Sequence, residues 1–344
     1  MDEQKLNILV LAGGESGERD VSLDSSRAIA RALSQTGHNV TVLDTLTGHF
    51  LDSAFIESDE YSVTGQYILS PKEDTDEKAL LLSLIKARDD GVEVVFNGLH
   101  GGAGENGSIS ALLDFVGLPY TGSPMAASAV AMNKDISKRV MWSLNIPTAK
   151  WHPFYKSIES HDDIAALIAK EFQLPVIIKP VDCGSTVGLS LVEETDKLVE
   201  AVISAFEASD IIMAETYFKG REITIAVLDG EPLPPVEIVP SHKLYDYTCK
   251  YTKGKSQYFC PADIDENIIR KLSNDAVRLY KSTGCTGYTR VDFIVSDLDH
   301  YICLELNTLP GMTELSLFPM AAKEIGLDFP QLLIRLCQLA MERK

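Results

Sequence analysis

The chain has 344 residues, of which 45% are hydrophobic and 24% are charged, as in an ordinary water-soluble globular protein. This length is enough for two or three domains with cores of their own. A formal net charge of −19 argues against nucleic acid and other polyanions as partners, although it leaves room for a small local basic pocket.

The cysteines and the apolar runs indicate where such a chain resides. Six cysteines show neither a C-x-x-C pair nor the spacing of a zinc site, so we expect reduced thiols. The first residues, MDEQKLNILVLAGG, place acids before an apolar run, unlike a secretory signal. No run reaches the roughly 18 apolar residues of a membrane span. We therefore predict a cytoplasmic protein with no membrane partner.

The N-terminal third alternates predicted strands with predicted helices. Apolar runs typical of buried strands occupy residues 6–12, 39–43 and 92–99. A helix is expected over residues 22–34, ending near Gly37, and another over KALLLSLIKARDDG. This alternation predicts a small parallel sheet.

The turn after the first strand has a composition typical of nucleotide-binding loops. The segment LAGGESGERDVSL follows a strand and precedes a helix, and the second strand ends at Asp44, where a ribose-binding acid would lie. Its spacing, GG-x-x-G, however, does not match the G-x-G-x-x-G fingerprint of a dinucleotide site.

The remaining chain is richer in predicted β-structure. Residues 174–192 predict two strands around a loop of Gly, Ser and Thr, and IIMAETYFKGREITIAVLDG predicts strand, turn and strand. The polar stretch 241–257 is expected to form a long surface loop. An amphipathic helix follows and ends at Gly284, and then GYTRVDFIV and YICLELNT flank SDLDH as a hairpin. Asp328 and Pro330 begin the last helix.

The predicted hairpin collects polar side chains that suit a metal ion. Strand alternation puts Arg290 and Asp292 on one face of its first strand, and Glu305 and Asn307 on one face of its second. Two carboxylates and an amide suit Mg²⁺, which takes further ligands from water and substrate phosphates. A polar outer sheet face is the alternative. The apolar neighbours and the loop NTLPGMT favour the metal.

Two further loops carry candidate phosphate ligands. Lys179 ends the apolar strand PVIIKP, where burial is costly without an anionic partner such as phosphate. The loop CGSTVG that follows can cradle phosphate oxygens with its N–H groups, but an ordinary hairpin turn has the same composition. In LHGGAGENG, His100 is either a satisfied structural residue or a polar group oriented by Glu105 beside a reacting phosphate.

In this order, the segments resemble the D-alanine–D-alanine ligase family of the ATP-grasp superfamily over nearly the whole chain. The segments that carry the resemblance are GGESGERDVSL, LHGGAGENGS, GLPYTGSPMAASAVAMNKDISK, PVIIKPVDCGSTVG, YDYTCKYTKGKSQYFCPA, and RVDFIV with LELNTLPGMTELSLFP. The resemblance implies an α/β (α+β) fold of three domains: a small Rossmann-like parallel-sheet domain at 1–122, a central ATP-grasp subdomain at 123–219, and a C-terminal ATP-grasp domain at 220–344 with a lid loop and the metal site.

The same resemblance implies the reaction. One D-alanine would be phosphorylated by ATP to D-alanyl phosphate, and the amine of a second would attack it, releasing phosphate and a dipeptide for peptidoglycan precursor synthesis. The implied ATP-binding residues are Lys134, Lys179, Ser185, Thr186, Glu215, Tyr217, Phe218 and Glu222. Two Mg²⁺ ions, for which Mn²⁺ is a possible substitute, would be held by Asp292, Glu305 and Asn307. Phosphoryl transfer relies on positioned metal and cations, in agreement with this set.

The resemblance also implies roles toward the amino acids. Glu18, with Val21 and Ser22 beside it, would bind the first D-alanine; the lid residue Lys250, with Ser316 and Leu317, would complete the substrate-binding set. The implied catalytic residues are Glu18, His100, Ser185, Tyr251, Arg290 and Gly311. Among them, Arg290 and the Gly311 N–H would stabilise the tetrahedral oxyanion. Ser185, Tyr251 and Glu18 would fasten a lid that keeps water from the acyl phosphate.

A few departures and alternatives remain. Thr216 stands where many relatives have lysine, Asn106 replaces a frequent aspartate, and Thr186 replaces a second serine. The pair Lys250–Tyr251 favours an amine acceptor over D-lactate but leaves D-serine open, since small acceptors differ by only a few kcal/mol. A D-alanine–D-serine ligase, another ATP-grasp carboxylate–amine ligase and a non-catalytic nucleotide sensor are the alternatives. The family resemblance suggests a homodimer.

Overall fold

A computed structural model describes residues 5–58, 75–240, 256–298 and 300–343 of the protein. These residues form three β-sheets with helices packed against them. The helices in this part of the chain are all too short or too polar to cross a lipid bilayer.

The first sheet belongs to the N-terminal third. Its elements are β1 (Asn7–Ala12), α1 (Arg19–Gln35), β2 (Asn39–Asp44), β3 (His49–Leu51), α2 (Ser53–Glu57), α3 (Glu77–Asp89), β4 (Val94–Asn97), α4 (Gly102–Glu105) and α5 (Ser108–Val116). The order is β3-β2-β1-β4, with β2, β1 and β4 parallel and β3 antiparallel at the edge. The predicted parallel sheet is therefore confirmed. Helix α1 begins before the predicted start. The sequence does not mark this start, because the N-cap residue Glu18 makes no side-chain capping bond.

The second sheet has a core that draws only on its own segment. Its elements are β5 (Trp151–Tyr155), α8 (His161–Glu171), β6 (Val176–Pro180), β7 (Ser190–Val192), α9 (Leu198–Ala208) and β8 (Ile211–Thr216). The strands are antiparallel in the order β5-β8-β6-β7. Helices α8 and α9 pack together, and the buried apolar cluster comprises residues between 154 and 214.

The third sheet contains the predicted hairpin. It comprises β9 (Arg221–Leu228), β10 (Glu231–Pro232), β11 (Val236–Pro240), β12 (Ser256–Phe259), β13 (Tyr288–Val295) and β14 (Tyr301–Asn307), covered by α6 (Met125–Met132), α7 (Lys134–Ser143) and α10 (Glu266–Thr283). The path is β12-β11-β9-β13-β14, and β10 pairs with β9. Strands β13 and β14 are antiparallel, as the hairpin prediction requires. Consecutive strands β8 and β9 lie in different sheets, which local patterns do not reveal.

Two further helices end the described chain, α11 (Leu317–Glu324) and α12 (Phe329–Glu342). Asp328 begins α12 with a capping box to Gln331, and Pro330 lies in the first turn, as predicted. Helix α12 packs against α1 and β4, so its apolar face completes the core of the first sheet. The three predicted domain ranges each contain one sheet, but the apolar clusters cross these ranges, and the boundaries stay a prediction.

The prediction of a surface loop over 241–257 is wrong at its end. Ser256 and Gln257 belong to the edge strand β12, paired with β11. An edge strand with polar residues lacks the apolar alternation by which strands are recognised. Residues 241–255, which carry the predicted lid residues Lys250 and Tyr251, lie outside the described part of the chain.

Candidate active site

A cavity of about 960 Å³ is lined by strands of the third sheet, by α1 and loops of the N-terminal third, and by the loop after β6. The predicted site residues that line it are Glu18, Val21, His100, Lys134, Ser185, Arg290, Glu305, Asn307, Gly311, Ser316 and Leu317. Segments separated by up to 300 positions in the sequence thus meet at one concave site, which is where substrates of small-molecule enzymes bind.

The glycine-rich turn after β1 is held by an ion pair rather than prepared for a phosphate. Arg19 donates to both carboxylate oxygens of Asp44, at 2.8 and 2.6 Å. Gly13 has φ +74°, and a Cβ there would lie 2.3 Å from Arg19 Nη1 and 2.4 Å from Asp44 Oδ1. Burial raises the pKa of Asp44, but the hydrogen bonds and charge of Arg19 outweigh it and hold that pKa below its ordinary value. Asp44 therefore orients Arg19. The glycine turn and the acid at the end of β2, which together are typical of a dinucleotide site, here accommodate this ion pair.

Glu18 links the first sheet to the loop after β6. It precedes α1, is buried, and accepts a hydrogen bond from the Ser185 hydroxyl. This contact joins two of the three residues expected to form a hydrogen-bonded link; the third, Tyr251, lies outside the described residues. A carboxylate buried at the cavity wall is suited to an ammonium ligand.

His100 is oriented by a serine that the sequence analysis did not assign. Its Nε2 lies 3.0 Å from the hydroxyl of Ser25, and its carbonyl accepts from Ser16 at 2.5 Å. The orientation of His100 by Glu105 stays a prediction; the Glu105 carboxylate accepts from the N–H of Gly101 at 3.0 Å. Burial lowers the pKa of His100, opposed in part by the charge of Glu18, so the imidazole is neutral near pH 7.

Ser22 is placed differently from its predicted neighbour Val21. Val21 lines the cavity, whereas Ser22 is fully buried and donates to the carbonyl of Gly98 at 3.0 Å. Ser22 thus fixes α1 to the end of β4, and substrate binding through its side chain has no geometric support. The serine of α1 that lines the cavity is Ser25, which lies about one helical turn after Ser22.

The two predicted phosphate lysines are both held by carboxylates. Lys134, at the start of α7, donates to the carbonyl of Cys183 at 2.8 Å and lies 3.3 Å from Glu305 Oε2. Lys179, near the end of β6, lies 2.5 Å from Glu215 Oε2. Both cations are therefore placed by protein anions that a phosphate can replace or supplement.

Lys138 is a buried lysine to which the sequence analysis assigns no role. Its ammonium lies 2.5 Å from Glu215 Oε1 and donates to Thr148 Oγ1 at 2.5 Å. Its side chain is fully buried. Burial raises the pKa of Glu215, but the charges of Lys138 and Lys179 outweigh it and bring that pKa to about 2. The available signal was its position four residues after Lys134, one turn along the same helix face.

The loop between β6 and β7 has an unusual backbone. Ser185 and Thr186 have φ of +50° and +64°, in the left-handed region that non-glycine residues rarely adopt. The turn is closed by Val187, whose N–H donates to the carbonyl of Gly184 at 3.2 Å. Backbone conformations of this kind are strained and persist only where surrounding contacts stabilise them. They occur most often at active sites and ligand-binding segments.

The hairpin aligns the predicted metal ligands. Asp292 is opposite Glu305, and Arg290 is opposite Asn307, so the four side chains share one face. Arg290 donates to both oxygens of Asp292, at 2.9 and 2.8 Å. Within the described residues, no group of three or more His, Cys, Asp and Glu side chains has the arrangement of a metal site. The set has two acids and an amide, which suits a hard cation that completes its shell with water and phosphate oxygens.

Gly311 and the start of α11 form another part of the cavity wall. Ser316 is the N-cap of α11, and its hydroxyl accepts from the N–H of Thr313 at 3.0 Å. A Cβ on Gly311 would lie 3.2 Å from Ser316 Oγ and 3.8 Å from His100 Cε1. The free N–H groups of a helix start favour a carboxylate.

The predicted adenine and ribose residues follow the second sheet. Thr216, Tyr217 and Phe218 are half-buried at and after the end of β8, and Glu222 lies on β9. Their contact with a nucleotide stays a prediction. Asn106 ends α4, and its amide oxygen accepts from the N–H of Ser108 at 2.9 Å, as an aspartate would.

A carboxylate-bearing hairpin in the third sheet, with Lys134 on α7 against that sheet and Lys179 on β6 of the second, defines a protein of the ATP-grasp class. The D-ala D-ala ligase N-terminus family model matches residues 7–123, and the D-ala D-ala ligase C-terminus model matches residues 140–338. The chain therefore belongs to the D-alanine–D-alanine ligase family.

Individual relatives agree over almost the full length. The chain is 36% identical to a protein named D-alanine–D-alanine ligase from Syntrophotalea carbinolica, covering 99% of this chain and 98% of the relative. It is 38% identical to one of the same name from Aquifex aeolicus, covering 95% and 98%. The solved D-alanine–D-alanine ligase of Coxiella burnetii superimposes with a TM-score of 0.79 at 26% identity, covering 99% and 95%. The Bacillus anthracis enzyme complexed with ATP gives 0.76 at 24% identity, covering 98% of each chain, and supports the fold.

Proposed function

We propose that this chain uses ATP to ligate two D-alanines. One D-alanine carboxylate takes the γ-phosphoryl group to form D-alanyl phosphate, and the amine of the second displaces phosphate to give D-alanyl-D-alanine for peptidoglycan precursor synthesis. The observation that carries the proposal is the cavity that unites Glu18, Lys134, Arg290 and the start of α11. The names of relatives that match nearly the full chain support the same reaction.

We infer that Lys134 and Lys179 bind the phosphates of ATP, with the Ser185–Thr186 loop covering them. In the structure, Lys134 faces Glu305 and Arg290 faces Asp292. Phosphate oxygens would replace these carboxylates around the cations, and the carboxylates would then be available to a metal ion. The positive charges thus stay satisfied in both states, which limits the cost of burying them.

We infer that Asp292, Glu305 and Asn307 hold two Mg²⁺ ions, with Mn²⁺ as a substitute. The support is their shared face on β13 and β14 and the oxygen chemistry of the three side chains. When bound, the metal supplies neutralisation of the phosphate charge during transfer. The nucleotide residues Glu215, Tyr217, Phe218 and Glu222 would bind adenine and ribose.

At the amino-acid end, we infer that Glu18 binds the ammonium of the first D-alanine. Its burial and its contact with Ser185 support this role. Ser316 and Leu317, at the start of α11, would bind the carboxylate of the second substrate. Arg290 and the N–H of Gly311 would stabilise the oxyanion of the tetrahedral intermediate, beside the neutral ring of His100.

The proposal also includes a lid, the cellular location, the oligomeric state and the identity of the second substrate. Lys250 and Tyr251 would close over the cavity and exclude water from the acyl phosphate, which hydrolyses readily. A cytoplasmic homodimer is the expected form. D-Serine as the second substrate is the competing specificity, and it is an outcome of the test below.

The test is a phosphate-release assay with ATP, Mg²⁺ and one amino acid at a time. D-Alanine should give release, and the product should have the mass of a D-alanine dipeptide. L-Alanine should be inactive, and D-serine and D-lactate added with D-alanine report the choice of acceptor. Phosphate release that does not depend on D-alanine would contradict the proposal.

A further inference from the structure

Lys138 is a cation buried away from the cavity surface. Its side chain is fully buried, and it lies on α7 one turn after Lys134, which lines the cavity. A buried lysine is retained only where its partners compensate for lost hydration. Its partners are Glu215 and Thr148, and the ring of Trp151 lies 5.6 Å from the ammonium.

Glu215 is shared between two lysines. Oε1 lies 2.5 Å from Lys138, and Oε2 lies 2.5 Å from Lys179. Two cations on one carboxylate leave an excess positive charge in this cluster, in a chain whose net charge is −19. An anion beside Lys179 can balance that excess, and the phosphates of ATP are such an anion.

The partner hydroxyl connects this cluster with the hairpin. Thr148 accepts from Lys138 and donates to the carbonyl of Cys303 on β14 at 3.0 Å. The N–H of Cys303 donates in turn to the carbonyl of Pro147 at 2.7 Å. Lys138 therefore contacts the second sheet directly, through Glu215, and is linked through Thr148 to the strand that carries Glu305.

We propose that Lys138 is a positioning residue of the ATP site: by holding one oxygen of Glu215, it leaves the Lys179 ammonium with unbalanced charge for a phosphate. Without Lys138, the Glu215–Lys179 pair is neutral, and the carboxylate can turn fully onto Lys179. This inference rests on the proposed function, because it takes ATP as the ligand. It assigns Lys138 no contact with substrate.

The experiment measures ATP binding by calorimetry with Mg²⁺ and no D-alanine, together with steady-state KM values. K138M should raise the Kd for ATP by about tenfold, as expected when the charge-assisted contact between Lys179 and phosphate is weakened. The KM for D-alanine should stay within about twofold, because Lys138 lies away from the amino-acid end. K197M removes the same charge at the surface, where Lys197 pairs only with the exposed Glu200 among the described contacts, and should bind ATP as wild type.

A charge-conserving variant separates positioning from mere stabilisation. K138R keeps a positive charge beside Glu215, so its ATP affinity should recover above that of K138M, whereas the neutral K138M lacks that charge. T148V keeps every charge but removes the hydroxyl partner, and it should raise the Kd by about twofold to fivefold. T148V also decides the matter if K138M does not fold.

The outcomes are distinguishable. Folded K138M or T148V with wild-type ATP affinity would overturn the inference, as would equal increases in the KM for ATP and D-alanine. Folded K138R with an ATP affinity no higher than that of K138M would overturn it as well. In those cases wild-type ATP binding and D-alanine-dependent phosphate release still stand. If the wild-type protein binds no ATP, the proposed function and the inference both fall.

Discussion

Single residues show how far composition can mislead. Asp44, the last residue of β2, has the position of a ribose-binding acid, yet its carboxylate pairs with Arg19. The sequence predicts that an acid ends this strand, but not which cation lies near it, because the partner is set by the conformation of the glycine turn. Lys138 was missed for the same reason, since its burial depends on contacts with residues 10 and 77 positions away in the sequence.

The Arg19–Asp44 pair should stabilise the first sheet. Asp44→Asn is expected to lower the free energy of unfolding by about 1–2 kcal/mol at pH 7, since one partner is buried and the other only partly exposed. The folded-state pKa is lowered below 3.8. The stabilisation is therefore present above that value and lost as the pH falls through the folded-state pKa. Urea unfolding at pH 7 and at pH 3 measures this.

The matched control is the exposed pair of Lys86 and Asp90 on α3. Asp90→Asn should change the free energy of unfolding by less than about 0.5 kcal/mol, because exposed ion pairs contribute little. Equal effects of the two substitutions would contradict the structural role assigned to Asp44.

Gly13 and Gly37 allow the turn to be tested by comparison. Both have positive φ, +74° and +95°, but a Cβ on Gly37 meets nothing within 4 Å, whereas on Gly13 it collides with Arg19 and Asp44. Gly37→Ala should cost about 1 kcal/mol from backbone strain alone. Gly13→Ala should cost about 1–3 kcal/mol more, because the ion pair must shift as well. Thermal unfolding of both variants measures the two losses of stability. Equal losses would show that the Arg19–Asp44 pair does not constrain the turn.

At the scale of elements, the hairpin was the most predictable part. Alternation along β13 and β14 and the turn residues between them fix which side chains share a face, and the register agrees. The partner of β13 on its other side, β9, follows from long-range packing. Local patterns also predict strand β8 but not its separation from β9 into another sheet.

The hairpin should govern the metal requirement. Asp292→Asn and Glu305→Gln are expected to raise the Mg²⁺ concentration for half-maximal phosphate release by at least about tenfold, because each removes a carboxylate ligand. Tyr301→Phe, at the opposite end of the hairpin, loses a hydrogen bond of 2.8 Å to Asp275 and serves as the control. It should affect stability but not the Mg²⁺ dependence. An unchanged dependence in both acid variants would contradict the metal assignment.

At the scale of the whole molecule, sheets and cores do not coincide. Each predicted domain range contains one sheet, and that much follows from the order of the motifs. The packing of α12 on the first sheet, and of α6 and α7 on the third, does not follow from the order, because an amphipathic face specifies burial without specifying the surface that covers it.

Helix α12 should therefore determine the stability of the N-terminal sheet. Leu336 is fully buried in the shared core, and Leu336→Ala is expected to cost about 2–5 kcal/mol. Gln338, exposed on the same helix, is the control, and Gln338→Ala should cost less than about 0.5 kcal/mol. Hydrogen exchange should show the loss of protection in β1 and β4. Loss confined to α12 would contradict the shared core.

The shared core has a consequence for synthesis on the ribosome. Domains commonly fold in the order in which they emerge, the N-terminal one first. Here the first sheet lacks part of its apolar cover until residues 329–342 have been made, while the second sheet uses only residues between 154 and 214. We expect the middle of the chain to become resistant to protease on stalled ribosomes before the beginning does, so that the first strands translated are among the last to be secured.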